Sequence, residues 1–157
     1  VDVMSDVATL IISGNTVLNE NNEGLHSLRN ALECVVDGDT IFFHASVNLI
    51  SLLDPIQINK NVTIYGDTIG DITIFTDFDL PSMSNSNFAW KIPQSKNVPL
   101  ENLIIKHNNN SLSKPLLLNE GNLILKNVKV LGNIQPIILN LLSGNITAEM
   151  NVEIRID

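Results

Sequence analysis

Lys60-Asn61-Val62-Thr63-Ile64 returns as Glu101-Asn102-Leu103-Ile104-Ile105, as Lys126-Asn127-Val128-Lys129-Val130 and as Met150-Asn151-Val152-Glu153-Ile154. Each copy is Asn, an apolar residue, a variable residue, then Ile or Val. The Asn residues stand 41, 25 and 24 positions apart. Two of these gaps read as one repeat each, and the first as close to two. A period in the twenties, carried by strand-like phrases, is the mark of a solenoid. Shorter matches agree. Gly121-Asn122-Leu123 recurs as Gly144-Asn145-Ile146, and Thr40-Ile41 precedes Thr63-Ile64 at a similar interval.

Composition suits such a stack. Apolar residues make up 44% of the 157-residue chain but aromatics only 4%, so Ile, Leu and Val carry the core. These residues favour strands and stack in even layers. Abundant Asn points to turns that need left-handed or side-chain-bonded backbone. A net charge of −8 with 9 basic residues and no basic cluster argues against nucleic acid or an anionic membrane as partner. The single cysteine, Cys34, excludes an intramolecular disulfide. No apolar run has the length of a membrane span, and no signal peptide is visible. A start at Val1 fits a processed secreted protein or an excised domain.

Along the chain, residues 5–18 read as strand. Leu25, Leu28, Leu32 and Val35 share one helical face, which predicts a helix over 25–36 ended by Gly38. Laid across the first rung, that helix would cover the open end of the core and an unpaired strand edge. From Asp39 onward the pattern is strand, turn, strand. Strands are expected at 39–44, 47–52, 56–58, 62–65, 72–75, 88–92, 102–106, 115–118, 122–125, 127–130, 137–141, 145–148 and 151–156. The repeat breaks down between Thr76 and Pro99, which reads as an irregular loop over 76–98.

The fold expected is therefore all-β. It is a right-handed parallel β-helix of about five rungs with a short N-terminal capping α-helix. The whole chain, 1–157, reads as one domain, with strand and cap over 1–38 and rungs over 39–157. Asn at a fixed place in successive coils lets carboxamides stack about 4.8 Å apart and bond to one another. Asn61, Asn102, Asn127 and Asn151 are expected to form such a ladder; independent surface turns that happen to use Asn are the alternative.

The segment Gly24-Leu25-His26-Ser27-Leu28-Arg29-Asn30-Ala31-Leu32, then Gly38-Asp39-Thr40-Ile41-Phe42-Phe43, resembles the N-terminal capping region of secreted bacterial right-handed parallel β-helix repeat proteins. In that family a Ser-Leu-Arg-x-Ala helix precedes Gly-Asp-Thr-Ile-x-Phe. Ile56-Gln57-Ile58-Asn59-Lys60-Asn61-Val62-Thr63-Ile64-Tyr65-Gly66 is similar to the family's next rung. The match is good over 24–75 and generic afterwards. His26 stands where many relatives carry Cys, and relatives usually have more rungs. The resemblance implies an extracellular or cell-surface protein of adhesin-like kind; it does not imply a catalytic activity.

Parallel β-helices also carry polysaccharide lyases and glycosidases. A lyase needs clustered carboxylates for calcium and a basic residue near the sugar. A hydrolase needs two carboxylates about 5–9.5 Å apart on one groove. Asp39, Asp67 and Asp71 are the candidates, though each sits in a turn beside Gly, where Asp serves the backbone. The two arginines, Arg29 and Arg155, are not placed to serve that groove. His26, His44 and His107 lack metal-site spacing; His26 is expected in the helix cap and the others on outward strand positions. Cys34 reads as a small buried hydrophobe. Trp90, with Phe88, is a candidate sugar-stacking platform at the exit of the irregular loop, or else core filling. No metal or cofactor is implied. The terminal strand Asn151–Asp157 alternates, carries charges on one face and has no visible cap, so its edge is open to pairing, self-association included.

Overall fold

The computed structural model describes residues 14–67, 72–76, 88–107, 115–132, 137–141 and 143–156. Asp71, the strand reading over 5–13 and the loop reading over 77–87 lie outside the described residues. The chain winds into a parallel β-solenoid of about five turns, with one short helix among the described residues. β1 (Thr16–Val17) precedes α1 (Leu28–Cys34). The first full coil is β2 (Thr40–Phe43), β3 (Leu49–Leu52) and β4 (Ile56–Gln57). The second is β5 (Thr63–Tyr65), β6 (Ile72–Thr76) and β7 (Trp90–Ile92). In the third, β8 (Asn97–His107) runs through a corner before β9 (Leu117–Asn119). The fourth repeats this with β10 (Asn122–Gly132) and β11 (Ile138–Asn140). The fifth holds β12 (Asn145–Glu149) and β13 (Glu153–Ile156).

Each strand pairs in parallel with its counterpart one coil away. The first two faces form one bent nine-stranded sheet, and the third face forms a four-stranded sheet ordered β11-β9-β7-β4. The register stacks like on like. Ile41, Ile64, Leu100 and Leu125 form one column, and Ile50, Ile74, Ile105 and Val130 another. All eight are buried. At about 1.5–3 kcal/mol per buried branched side chain, these columns are the main source of stability.

The helix is shorter than its periodicity suggests. Gly24 at φ 91° and His26 at φ 64° hold left-handed backbone, so the chain cannot be helical there. Ser27 caps the helix, its Oγ accepting the Asn30 N–H at 3.2 Å. Leu25, expected on the buried face, is 72% exposed as a result, and Ala31 joins Leu28 and Val35 in the core instead. Two cations fasten the helix to the coil beneath it. Arg29 donates to the carbonyls of Asp54 and Pro55, and Lys60 donates to the carbonyls of Glu33 and Val35 at the helix end. The loop before the helix closes the free edge of β3. The Glu20 carboxylate accepts the N–H groups of Asn48 and Leu49 at 2.9 and 3.0 Å, and Asn22 Oδ1 accepts that of Leu53.

Several expectations need correction. The irregular region is narrower than 76–98, because β6 reaches Thr76, β7 lies at Trp90–Ile92 and β8 starts at Asn97. Cys34 is exposed, not buried; it sits on the outer side of the last helical turn, and its Cβ would lie 2.8 Å from a Cβ placed on Gly14. His107 points inward and is 2% exposed, because its register partner Thr76 is also an inward residue; Nδ1 lies 3.1 Å from the Thr76 carbonyl. His44 is outward, with Nδ1 2.8 Å from Ser46 Oγ.

Candidate functional site

Asn side chains run up this solenoid in three rows, and the rows differ from the expected one. Asn102 and Asn127 stand opposite each other at the corner inside β8 and β10, both left-handed at φ 55° and 53°. Asn tolerates that backbone, so the strand turns without leaving its sheet. Asn127 Nδ2 donates to Asn102 Oδ1 at 2.8 Å, and Asn102 Nδ2 to the Gly66 carbonyl at 3.2 Å. Gly66 holds the matching place one coil earlier, where a Cβ would lie 2.1 Å from the Asn102 carbonyl oxygen. Asn151 reaches the same corner at φ 46°, but with Met150 left-handed as well. The register slips there from Lys126↔Glu149 to Lys129↔Glu153, so the fifth corner is one residue longer.

Asn61 belongs to a different row. Its side chain donates to Asp37 Oδ2 at 2.9 Å, and its Oδ1 accepts the Asn97 N–H at 2.8 Å. Asn122 Nδ2 donates to Asn97 Oδ1 at 2.6 Å, and Asn145 Nδ2 to Asn122 Oδ1 at 3.0 Å. These partners are 24, 36, 25 and 23 positions apart. The interval from Asn61 to Asn102 is thus one long coil plus the length of a strand, not two coils. The third row is buried. Asn119 has no exposed surface, and its Nδ2 donates to Asn140 Oδ1 at 2.6 Å and to the Asn145 carbonyl at 3.0 Å.

The Asn61 row lines a shallow trough. One recess of about 340 Å³ lies between Gln94, Ser95, Lys96, Asn97, Asn122, Ser143 and Asn145. A second, of about 210 Å³, lies beside Asp39, Asn61, Thr63, Asn97 and Pro99. The two share Asn97, so a band of carboxamides and hydroxyls follows the solenoid axis. Lys96 sits 4.0 Å from Asp37 at its edge.

Asp39 and Asp67, the two described members of the carboxylate set, do not come together in this trough. Asp39 Oδ2 accepts the Val36 N–H at 2.8 Å and so closes its own turn. Register places Asp39 beside Val62, whereas Asp67 follows Gly66 at the far end of β5. Extended chain from Val62 to Gly66 covers roughly 13 Å, wider than the about 5–9.5 Å that a glycosidase pair spans. Among the described residues no three His, Cys, Asp or Glu side chains form a metal-sized group.

Trp90 offers no face to a sugar. It is 0% exposed and stacks between Ile56 and Leu117 in a core column of the four-stranded sheet. Phe88 is half-buried, with Lys91 Nζ 5.8 Å from its ring centre, and Lys91 is bonded to Glu120 at 3.0 Å.

The displaced titratable groups follow the same logic. Backbone N–H donors of Asn48 and Leu49 hold the Glu20 pKa below its ordinary value. The Asn61 N–H does the same for Asp37. Burial lowers Arg29, against the opposing charges of Asp54, Glu23 and Glu33. A hydrogen bond and charge from Glu101 raise Lys126. The Glu20, Asp37 and Lys126 shifts each arise from a hydrogen bond between coils or between cap and coil.

No family model, no curated protein and no solved structure matches this chain. Its chemistry must be read from the geometry alone. That geometry provides a polar, hydrogen-bonding trough and two cations committed to backbone carbonyls at the helix. The repeated phrase points to Asn61, Asn102, Asn127 and Asn151 but not to Asn97, Asn119, Asn122, Asn140 and Asn145, which bond in these rows. The 23-residue recurrence of Gly121-Asn122 as Gly144-Asn145 carried the signal for two of them.

Proposed function

We propose that this chain is a non-catalytic structural or adhesive module of a secreted or cell-surface protein. The observation that carries the reading is the use of its recurring polar side chains. The Asn rows are bonded to one another and to neighbouring backbone, so what repeats along the solenoid serves rigidity. Such a rod holds binding surfaces at fixed spacing. The resemblance of residues 24–75 to the cap and first rung of secreted bacterial β-helix proteins supports the location and the adhesive role.

A second reading is carbohydrate binding, and the trough along Asn61, Asn97, Asn122 and Asn145 favours it. Carboxamides can both donate to and accept from sugar hydroxyls. This moves the candidate surface away from Trp90, whose ring is enclosed, to the Asn row. The third reading, a carbohydrate-active enzyme using Asp39, Asp67 and Asp71, has Asp39 engaged in its own turn against it.

The test is incubation of the folded chain with acidic and neutral polysaccharides, with and without calcium, scored for cleavage and for binding. Neither cleavage nor binding is expected under the leading reading. Binding abolished by Asn97→Ala with Asn122→Ala would establish the second. Calcium-dependent cleavage would overturn both.

A further inference from the structure

The two ends of the stack are built differently. At the N-terminal end, α1 lies against the core and Glu20 and Asn22 satisfy the edge of β3. At the C-terminal end, β11, β12 and β13 each pair with a strand on one side only, among the described residues. There the core opens in a mouth of about 410 Å³ lined by Ile137, Ile138, Ile146, Ile154 and Ile156. Ile154 is 50% and Ile156 47% exposed. Ile154 continues the column below it through Val130 and Ile105. In every lower coil that position is covered by another strand.

What fits this end is specified by β13 itself. The order Val152-Glu153-Ile154-Arg155-Ile156 is complementary to its own reverse. Laid antiparallel on a copy with Ile154 at the centre, Glu153 faces the copy's Arg155, and Arg155 faces the copy's Glu153. Ile154 meets Ile154, and Val152 meets Ile156. Register with β10 puts Ile154 and Ile156 on the inward side with Val130, so strand alternation turns Glu153 and Arg155 outward. The apolar row would thus continue the core and the charged row would form the rim. Glu153 and Arg155 already bond within one chain at 3.5 Å, so pairing exchanges one such contact in each copy, two in all, for two across the axis.

We propose that two copies of this chain join end to end through their C-terminal coils, β13 pairing antiparallel with its copy about a twofold axis at Ile154. Such an interface is isologous and closes at two. Among the described residues the opposite end carries α1, with Glu20 and Asn22 on the edge of β3, so the two ends present different surfaces. The inference is independent of whether the rod is adhesive.

Sedimentation velocity and light scattering over a wide concentration range, at physiological salt, test it with the 157-residue chain. A concentration-dependent dimer is expected. Ile154→Lys places two cations face to face at the axis and should give monomer. Glu153→Arg sets Arg against Arg twice and should weaken dimerisation by roughly tenfold, on the scale of cross-strand charge pairs. Glu153→Arg combined with Arg155→Glu restores the pairing and should restore the dimer. Circular dichroism of each variant confirms that these exposed changes leave the coils folded. A monomer at every concentration, open-ended growth, or a dimer that ignores Ile154→Lys or the charge exchange would overturn the proposal.

Discussion

Asn119→Ala should be the most damaging of the Asn substitutions, and the structure says by how much. The side chain is fully buried and makes three bonds: two donated, to Asn140 Oδ1 and the Asn145 carbonyl, and one accepted from the Gly121 N–H at 3.3 Å. Each bond contributes about 1 kcal/mol net, and a buried donor or acceptor left without a partner costs about 1–3 kcal/mol more. The sum is about 4–6 kcal/mol. In a chain of this size about 1 kcal/mol moves Tm by 2–4 °C, so a drop of roughly 8–24 °C is expected. Asn122→Ala removes two bonds, to Asn97 and Asn145, in an exposed row where water replaces them. Its cost should be about 1–2 kcal/mol. Urea and thermal unfolding of both variants, followed by circular dichroism, give the comparison. Equal losses, or a larger loss for Asn122→Ala, would refute the argument that burial sets the value of these ladders.

Other consequences follow from the same coordinates. Gly66→Ala would force a methyl to 2.1 Å from the Asn102 carbonyl oxygen. It should cost about 1–3 kcal/mol by overpacking, measurable as a lower urea midpoint with an unchanged slope. Arg29→Ala frees the helix from the Asp54 and Pro55 carbonyls. It should lower stability by about 1–3 kcal/mol and raise hydrogen exchange in Leu28–Cys34 before the coils. The Glu20 and Asp37 carboxyls are held below their ordinary values of 4.5 and 3.8 by backbone donors. Such groups add stability above the unfolded pKa and lose it as pH falls through the folded one. The contribution of these two carboxyls should therefore be flat near neutrality and decline only below the ordinary carboxylate range. Glu20→Gln and Asp37→Asn should each flatten that acid decline in unfolding measurements at stepped pH.

Much of the fold was legible in the sequence because strand alternation and turn residues act locally. Ile41, Ile50, Ile64 and Ile74, which belong to the core columns, all fall within strands expected from the sequence, and the strand readings lie close to the observed elements. What failed required three-dimensional register. The second coil carries the segment 77–87, which stretches the spacing from Asn61 to Asn97 to 36 positions, so counting in units of the mid-twenties assigned Asn61 to the wrong corner. β10 reads as two strands, and only 102–106 of β8 reads as strand, because a left-handed Asn bends each one without interrupting its pairing. Leu25 fitted a helical face, yet left-handed Gly24 and His26 override that period. His107 looked outward by composition, but its register with Thr76 turns it in. The candidate site was the least legible part. Trp90 is chemically suited to a sugar and to a core alike, and only the column Ile56–Trp90–Leu117 decides between them.

The central claim is that the Asn side chains brace the coils. Side-chain carboxamide hydrogen exchange, resolved by NMR, tests it most directly. The Nδ2 protons of Asn119 should exchange far more slowly than those of free asparagine, with Asn127, Asn122 and Asn145 protected to a lesser degree. Exchange at the rate of free asparagine in all of them would contradict the account.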